Sequence, residues 1–154
     1  MTLASLLGDM AEAARRGDGA AFANVFSDDG AYHDVFYGTF RGRADLATFI
    51  EDRVHRDGQG FRWTFHDVVE ADGRGYGRYL FSYVPKSIEA GTRVVFEGIG
   101  FATMRDGLLL EYNEVANPYP ALSMMGLGDE RIARFAGRQA EDLRARPEAA
   151  QHLT

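Results

Sequence analysis

The chain has 154 residues, 45% hydrophobic and 26% charged, with a formal net charge of −6 at pH 7, which suits one soluble domain with its own core. Lys and Arg are dispersed in an acidic background, which argues against nucleic acid or an anionic membrane surface as partner. Cysteine is absent, excluding disulfides, thiolate metal sites and cysteine catalysis, and no apolar run approaches the ~18 residues of a membrane span.

The opening MTLASLLGDMAEAARRGD has no basic leader and no small-residue cleavage site, so the cytoplasm is the expected compartment. Leu3, Leu6, Leu7, Met10 and Ala14 recur at helical spacing, and Gly17-Asp18-Gly19 ends the pattern, predicting a helix over 3–16. A second short helix is expected to about Phe26, then a turn at Ser27-Asp28-Asp29-Gly30. The stretch AYHDVFYGTFRG, residues 31–42, reads as a strand followed by a small strand around Thr39–Arg41. Strand alternation puts Tyr32, Asp34 and Phe36 on one side and His33, Val35 and Tyr37 on the other. One ionisable group therefore points inward whichever face is buried. A buried carboxylate is costly unless paired or hydrogen-bonded, and its pKa rises in apolar surroundings. Asp34 is thus either a carboxylate satisfied by backbone amides at a strand end or a working acid–base group.

Residues 44–55 predict a third helix through Leu46, Phe49 and Ile50. From Phe61 onward the texture becomes alternating strands, separated by Asp72-Gly73, by the Pro85–Gly91 loop and by Asp106-Gly107, a hairpin signal. Phe61, Trp63, Phe65, Asp67 and Val69, and then Tyr79, Phe81 and Tyr83, form the apolar faces of two strands. Over 94–104 the odd set Val95, Glu97, Ile99, Phe101 and Thr103 is read as the cavity side. The small even set, Gly98, Gly100 and Ala102, implies a close neighbour or a strong bend. The last strand alternates Leu110, Tyr112 and Glu114 against Leu109, Glu111 and Asn113, with Tyr112 expected to line the cavity. After Asn117-Pro118-Tyr119-Pro120 come the Met124-Met125 loop and a helix over 129–145, a segment expected either to close the cavity mouth or pack on a partner subunit, or simply to finish the core.

Helices first and an antiparallel meander afterwards predict an α+β fold, a strongly bent sheet packed against the N-terminal helices around a hydrophobic pocket. A single domain spans 1–154, with a core of about 5–120 and a C-terminal helical extension of about 121–145. If this pocket does chemistry, the residues point to proton transfer without cofactor or metal. Asp34 is the acid–base candidate, with Tyr32 and Glu97 to assist it. Glu97 is equally readable as a surface residue. Trp63, Phe65, Tyr79, Phe81, Tyr83, Phe101 and Tyr112 are the candidate lining, and Asn117 is either turn chemistry or a group that orients a substrate. His33 and His66 fall opposite the buried faces, and the four histidines lack metal-ligand spacing. Gly73-Arg74-Gly75-Tyr76-Gly77 lies in a hairpin and opens no helix, so it is no phosphate loop.

The run VFSDDGAYHDVFYGTFRGRADLATFI resembles the NTF2-like superfamily, and within it the SnoaL-like and ketosteroid-isomerase-like enzymes. The likeness lies in Phe-x-Asp-Asp before the first strand, the Asp on that strand, Tyr-Gly-x-Phe-x-Gly and the helix after it. It implies a cone-shaped sheet, a homodimer paired through the outer sheet face (the even positions of the later strands), and Asp34 where steroid isomerases hold their general base. Their oxyanion donors are not matched, since Met10 and Ile99–Phe101 stand there, and Asn117 stands near the polyketide cyclases' acid–base Asp. The expectation is a cofactor-independent enzyme of isomerase, dehydratase, cyclase or epoxide-hydrolase type acting on a small hydrophobic molecule. The alternative is a non-catalytic ligand-binding or dimerisation module.

Overall fold

The computed structural model describes residues 1–88 and 91–154, so part of the predicted 85–91 loop lies outside the described residues. Helix α1 (Leu3–Arg16) starts where Thr2 Oγ1 accepts from Ser5 N, and it buries Leu3, Leu6, Leu7, Met10 and Ala14 along one stripe. Asp18 caps α2 (Gly19–Asn24) by accepting from Ala21 N at 2.9 Å. Strand β1 (Phe26–Asp34) begins earlier than predicted, because Ser27–Gly30 continue the strand through a register shift between Phe26 and Ala31. Strand β2 (Gly38–Arg41) folds back on it, and α3 (Arg43–Thr48) follows. The predicted third helix then loosens into a π-helical stretch, Phe49–Val54, before the single turn α4 (His55–Asp57). That widening turns Phe49, Ile50 and Val54 toward the interior cavity.

Strands β3 (Gly58–Ala71), β4 (Arg74–Pro85), β5 (Val94–Arg105) and β6 (Leu108–Asn117) form the meander. Asp72-Gly73 and Asp106-Gly107 all have positive φ, between 50° and 77°, the backbone that two-residue hairpin turns demand. The sheet order is β2-β1-β6-β5-β4-β3. Four pairings are antiparallel, but β1 and β6 run parallel, because the long crossover returns the chain beside its opening strand. The result is the expected α+β architecture, a bent six-stranded sheet packed on the N-terminal helices. Helices α5 (Tyr119–Met124) and α6 (Asp129–Arg144) and a 3₁₀ turn (Pro147–His152) complete the chain.

Which face of each strand points inward differs from expectation in two places. Tyr79 pairs with Gly98 and Phe81 with Phe96, so inward odd positions on β4 face inward even positions on β5. Glu97, Ile99 and Phe101 therefore lie on the outer face, opposite their predicted side, and are exposed. The register of β5 on β4 sets that parity, and a one-residue change in register flips every side chain. On β3, Asp67 has a φ of 54° within a register shift, so Val69 turns outward with Asp67 while Val68 faces the core.

Candidate acid–base cavity

The inner face of the sheet, α5, α6 and the π-helical stretch enclose a cavity of about 430 Å³. Its walls are aromatic. Trp63, Phe81 and Tyr83 come from β3 and β4, Phe36 follows β1, and Phe96 and Tyr79 face each other from β5 and β4. The small residues of β5 explain how such large rings fit. A Cβ on Gly98 would stand 2.7 Å from Tyr79 Cζ, and one on Gly100 would overlap the Tyr112 phenol. Tyr79 and Tyr112 therefore lie flat across bare backbone, and Tyr112 stacks on Tyr32 with ring centroids 5.1 Å apart.

Asp34 is satisfied by backbone amides at the strand end, and it also faces the cavity. Its Oδ1 accepts from the Phe36 and Tyr37 amides, each at 2.7 Å, fixing the carboxyl at the strand end, and the group lines the cavity. Burial pushes its pKa up to about 6, against the opposing pull of those two amides. The β1–β6 register pairs Tyr32 with Tyr112 and His33 with Asn113, and one step further brings Asp34 alongside Glu114. Glu114 also lines the cavity, and its Oε1 accepts from Tyr32 Oη at 2.6 Å. Burial, and then the neighbouring Asp34 charge, push Glu114 up to about 8. The Tyr32 hydrogen bond works in the opposite direction. The two carboxyls keep some accessible surface, but it opens onto the cavity they line. Burial and the Glu114 charge hold the Tyr32 phenol well above its usual range, so it stays a donor.

Donors surround this pair. Among the described residues, Trp63 Nε1 and Tyr112 Oη are buried without a hydrogen-bond partner, Tyr79 Oη leans only on Glu114, and Trp63 and Tyr79 belong to the cavity wall. A ligand oxygen is what such donors lack. Asp57, also in the cavity lining, accepts from Tyr37 Oη at 2.7 Å and pairs with Arg56, which holds its carboxyl below the usual range.

The predicted site residues divide accordingly. Asp34, Tyr32, Trp63, Tyr79, Phe81 and Tyr83 come together around the cavity. Tyr112 is fully buried behind Tyr32, and Phe65 packs toward a smaller cleft against α1. Glu97 is exposed, and Phe101 packs on Tyr76 across the outer face with centroids 6.1 Å apart. Asn117 is exposed, with its Oδ1 accepting from Tyr119 N, which is its turn role. His33 bonds Glu111 and Thr39, and His66 is exposed. The residue that sequence reasoning passed over is Glu114. Its signal was alternation with Tyr112, but its partner lies on a strand 80 residues away. Among the described residues no group of three His, Asp or Glu is placed to hold a metal ion.

Residues 7–112 match the family model described as the SnoaL-like domain. No curated protein matches the sequence. Among solved structures, a hypothetical protein of ketosteroid-isomerase-like fold from Catenulispora acidiphila DSM 44928, in complex with trimethylamine, superposes with a TM-score of 0.74. It shares 17% identity over 82% of this chain and 96% of its own. An LEH-like epoxide hydrolase from M. tuberculosis gives a TM-score of 0.64 at 16% identity, covering 79% of this chain and 87% of that one. A candidate polyketide cyclase from Xanthomonas campestris pv. campestris gives 0.63 at 23% identity, covering 79% and 94%. At these identities the structures speak to the fold alone. With the family match spanning most of the chain and the bent sheet it requires, this protein belongs to the SnoaL-like family of NTF2-like domains.

Proposed function

We propose that the protein is a cofactor-independent acid–base enzyme acting on a small hydrophobic molecule that carries an oxygen function. The observation that supports this reading is the adjacency of Asp34 and Glu114 in one aromatic cavity. Two carboxyls whose environments push their pKa values apart divide into one base and one acid. With values of about 6 and about 8, the pair carries a single negative charge near pH 7. Asp34, steadied by two amides, takes a proton from the substrate or from water. Neutral Glu114, whose Oε1 is occupied by Tyr32, delivers one to the substrate oxygen from its other oxygen atom. The Trp63 donor, without a partner among the described residues, stands ready for that oxygen, with Tyr79 beside Glu114. Glu114 thereby takes the part first assigned to Glu97. The likeness to an epoxide hydrolase and a candidate cyclase accords with such oxygen-bearing substrates.

The test is a panel of hydrophobic epoxides and enolisable ketones incubated in D₂O, with ring opening and deuterium incorporation read by NMR. Wild type is expected to turn over at least one class. Asp34→Asn keeps shape and binding while turnover falls by roughly 10²-fold or more. Ligand binding without turnover of any class would instead leave a non-catalytic binding module.

The functional unit in this reading is a homodimer. Leu80, Ile99, Phe101 and Val115 are exposed apolar residues on the outer sheet face, interleaved with Arg78 and Glu97, which supports pairing through β4, β5 and β6. The positions are even on β4 but odd on β5 and β6, which corrects the expected even set.

A further inference from the structure

Helix α6 lies beyond the residues that match the family model. Arg131, Phe135 and Arg138 follow at steps of four and three residues, which places them on one helix face. Phe135 is the buried anchor, with its ring 5.3 Å from that of Phe36. Arg131 and Arg138 flank it and line the cavity, and the Arg138 guanidinium carbon lies 5.9 Å from the Phe135 ring centroid. Both arginines are exposed at the rim, and among the described residues neither forms an ion pair. The other cavity charges stand elsewhere. Asp57 is held by Arg56 and Tyr37, and Asp34 and Glu114 share the inner wall.

We infer that the ligand is an aromatic carboxylate whose ring system enters the cavity while Arg131 and Arg138 hold its carboxylate at the mouth. This rests on the cavity being the substrate site proposed above. The orientation follows from the charge layout. An anionic head is repelled by the carboxyl pair inside and drawn to two planar guanidiniums outside, whose forked donors match a carboxylate. The attraction is local, because the chain as a whole carries −6. A cavity of about 430 Å³ walled by Trp63, Phe81, Tyr83 and Phe96 accepts a flat two-ring body.

The test compares 2-naphthoate with the neutral 2-naphthamide by titration calorimetry. Trp63, the chain's single tryptophan and part of the cavity wall, reports occupancy by fluorescence. Wild type should bind naphthoate about tenfold more tightly than the amide, the worth of a surface-exposed charge-assisted pair. Added salt should erode that preference. In Arg131→Gln/Arg138→Gln the two affinities should converge to within about twofold, with the amide's own affinity unchanged. Equal binding of both probes by wild type, stronger binding of the amide, no binding of either, or a preference that survives in the double variant would each overturn the inference. Asp34→Asn should retain the naphthoate preference. Failure of the acid–base reading therefore appears in turnover alone, and failure of this one in affinity.

Discussion

Tyr32 Oη donates to Glu114 Oε1 at 2.6 Å, from a phenol that is itself buried against Tyr112. The bond joins β1 to β6 across their parallel register and decides which carboxylate oxygen of Glu114 remains available to the cavity. It also favours the charged form of Glu114, working against burial and the Asp34 charge. Tyr32→Phe should therefore raise the Glu114 pKa further, because the donor to the ionised form is gone while desolvation remains. Carbon-13 NMR titration of the glutamate carboxyls measures this directly. The variant should also lose about 1–3 kcal/mol of stability, the cost of a buried acceptor left without its partner. A Glu114 midpoint that stays put or falls would show that the hydrogen bond is not setting its titration.

The carboxyl pair makes stability depend on pH with a definite sign. Both groups have raised folded-state values, about 6 and about 8, so the folded protein holds more protons than the unfolded chain between about pH 4 and pH 8. The stability that these two groups contribute should be fully present below the ordinary carboxyl range and decline as pH rises through that window. Glu114→Gln keeps the shape and the Tyr32 hydrogen bond while removing one titration. Thermal melts from pH 5 to pH 9 should show a flatter profile for the variant, with a higher Tm than wild type at the alkaline end. Parallel profiles would contradict the assignment.

The glycines of β5 are predicted to be necessary through the rings they admit. Gly100→Ala drives a methyl into the Tyr112 phenol, and Gly98→Ala sets one 2.7 Å from Tyr79 Cζ. Each should cost about 1–3 kcal/mol by overpacking. The Tyr79 displacement in Gly98→Ala should also weaken cavity ligands. Denaturant melts with a ligand titration separate the two effects, and a Gly100→Ala variant as stable as wild type would contradict the packing described.

Dimer formation through the outer sheet face is checked with Ile99→Glu, which stands opposite Val115 and Arg78 across neighbouring strands. Analytical ultracentrifugation should find wild type dimeric at micromolar concentration and the variant monomeric, because burying a carboxylate there is costly and the facing Arg78 is already paired with Asp67. Unchanged cavity binding in the monomeric variant would show that the site is complete within one chain. Monomeric wild type would remove the dimer proposal.

What the sequence determined by itself was local in origin. Leu3, Leu6, Leu7 and Met10 specify α1 through periodicity alone, and Asp-Gly at 72–73 and 106–107 specifies two hairpins through the φ values those residues tolerate. Asp34 was recognisable as an ionisable group among aromatics because alternation forces that conflict within one strand. The tertiary structure decided what depended on another strand. Glu114 became the second carboxyl only because β6 lies parallel to β1, a pairing that joins residues far apart in sequence and that side-chain periodicity does not encode. Glu97 and Phe101 turned outward, and Gly98 and Gly100 inward, because the parity of β5 is inherited from its register with β4. The same holds for Arg131 and Arg138. Helical spacing put them on one face with Phe135, but only the docking of Phe135 on Phe36 brought that face to the cavity mouth. A period-two or period-3.6 pattern states which residues share a side, and the pairing of strands and packing of helices state what that side meets.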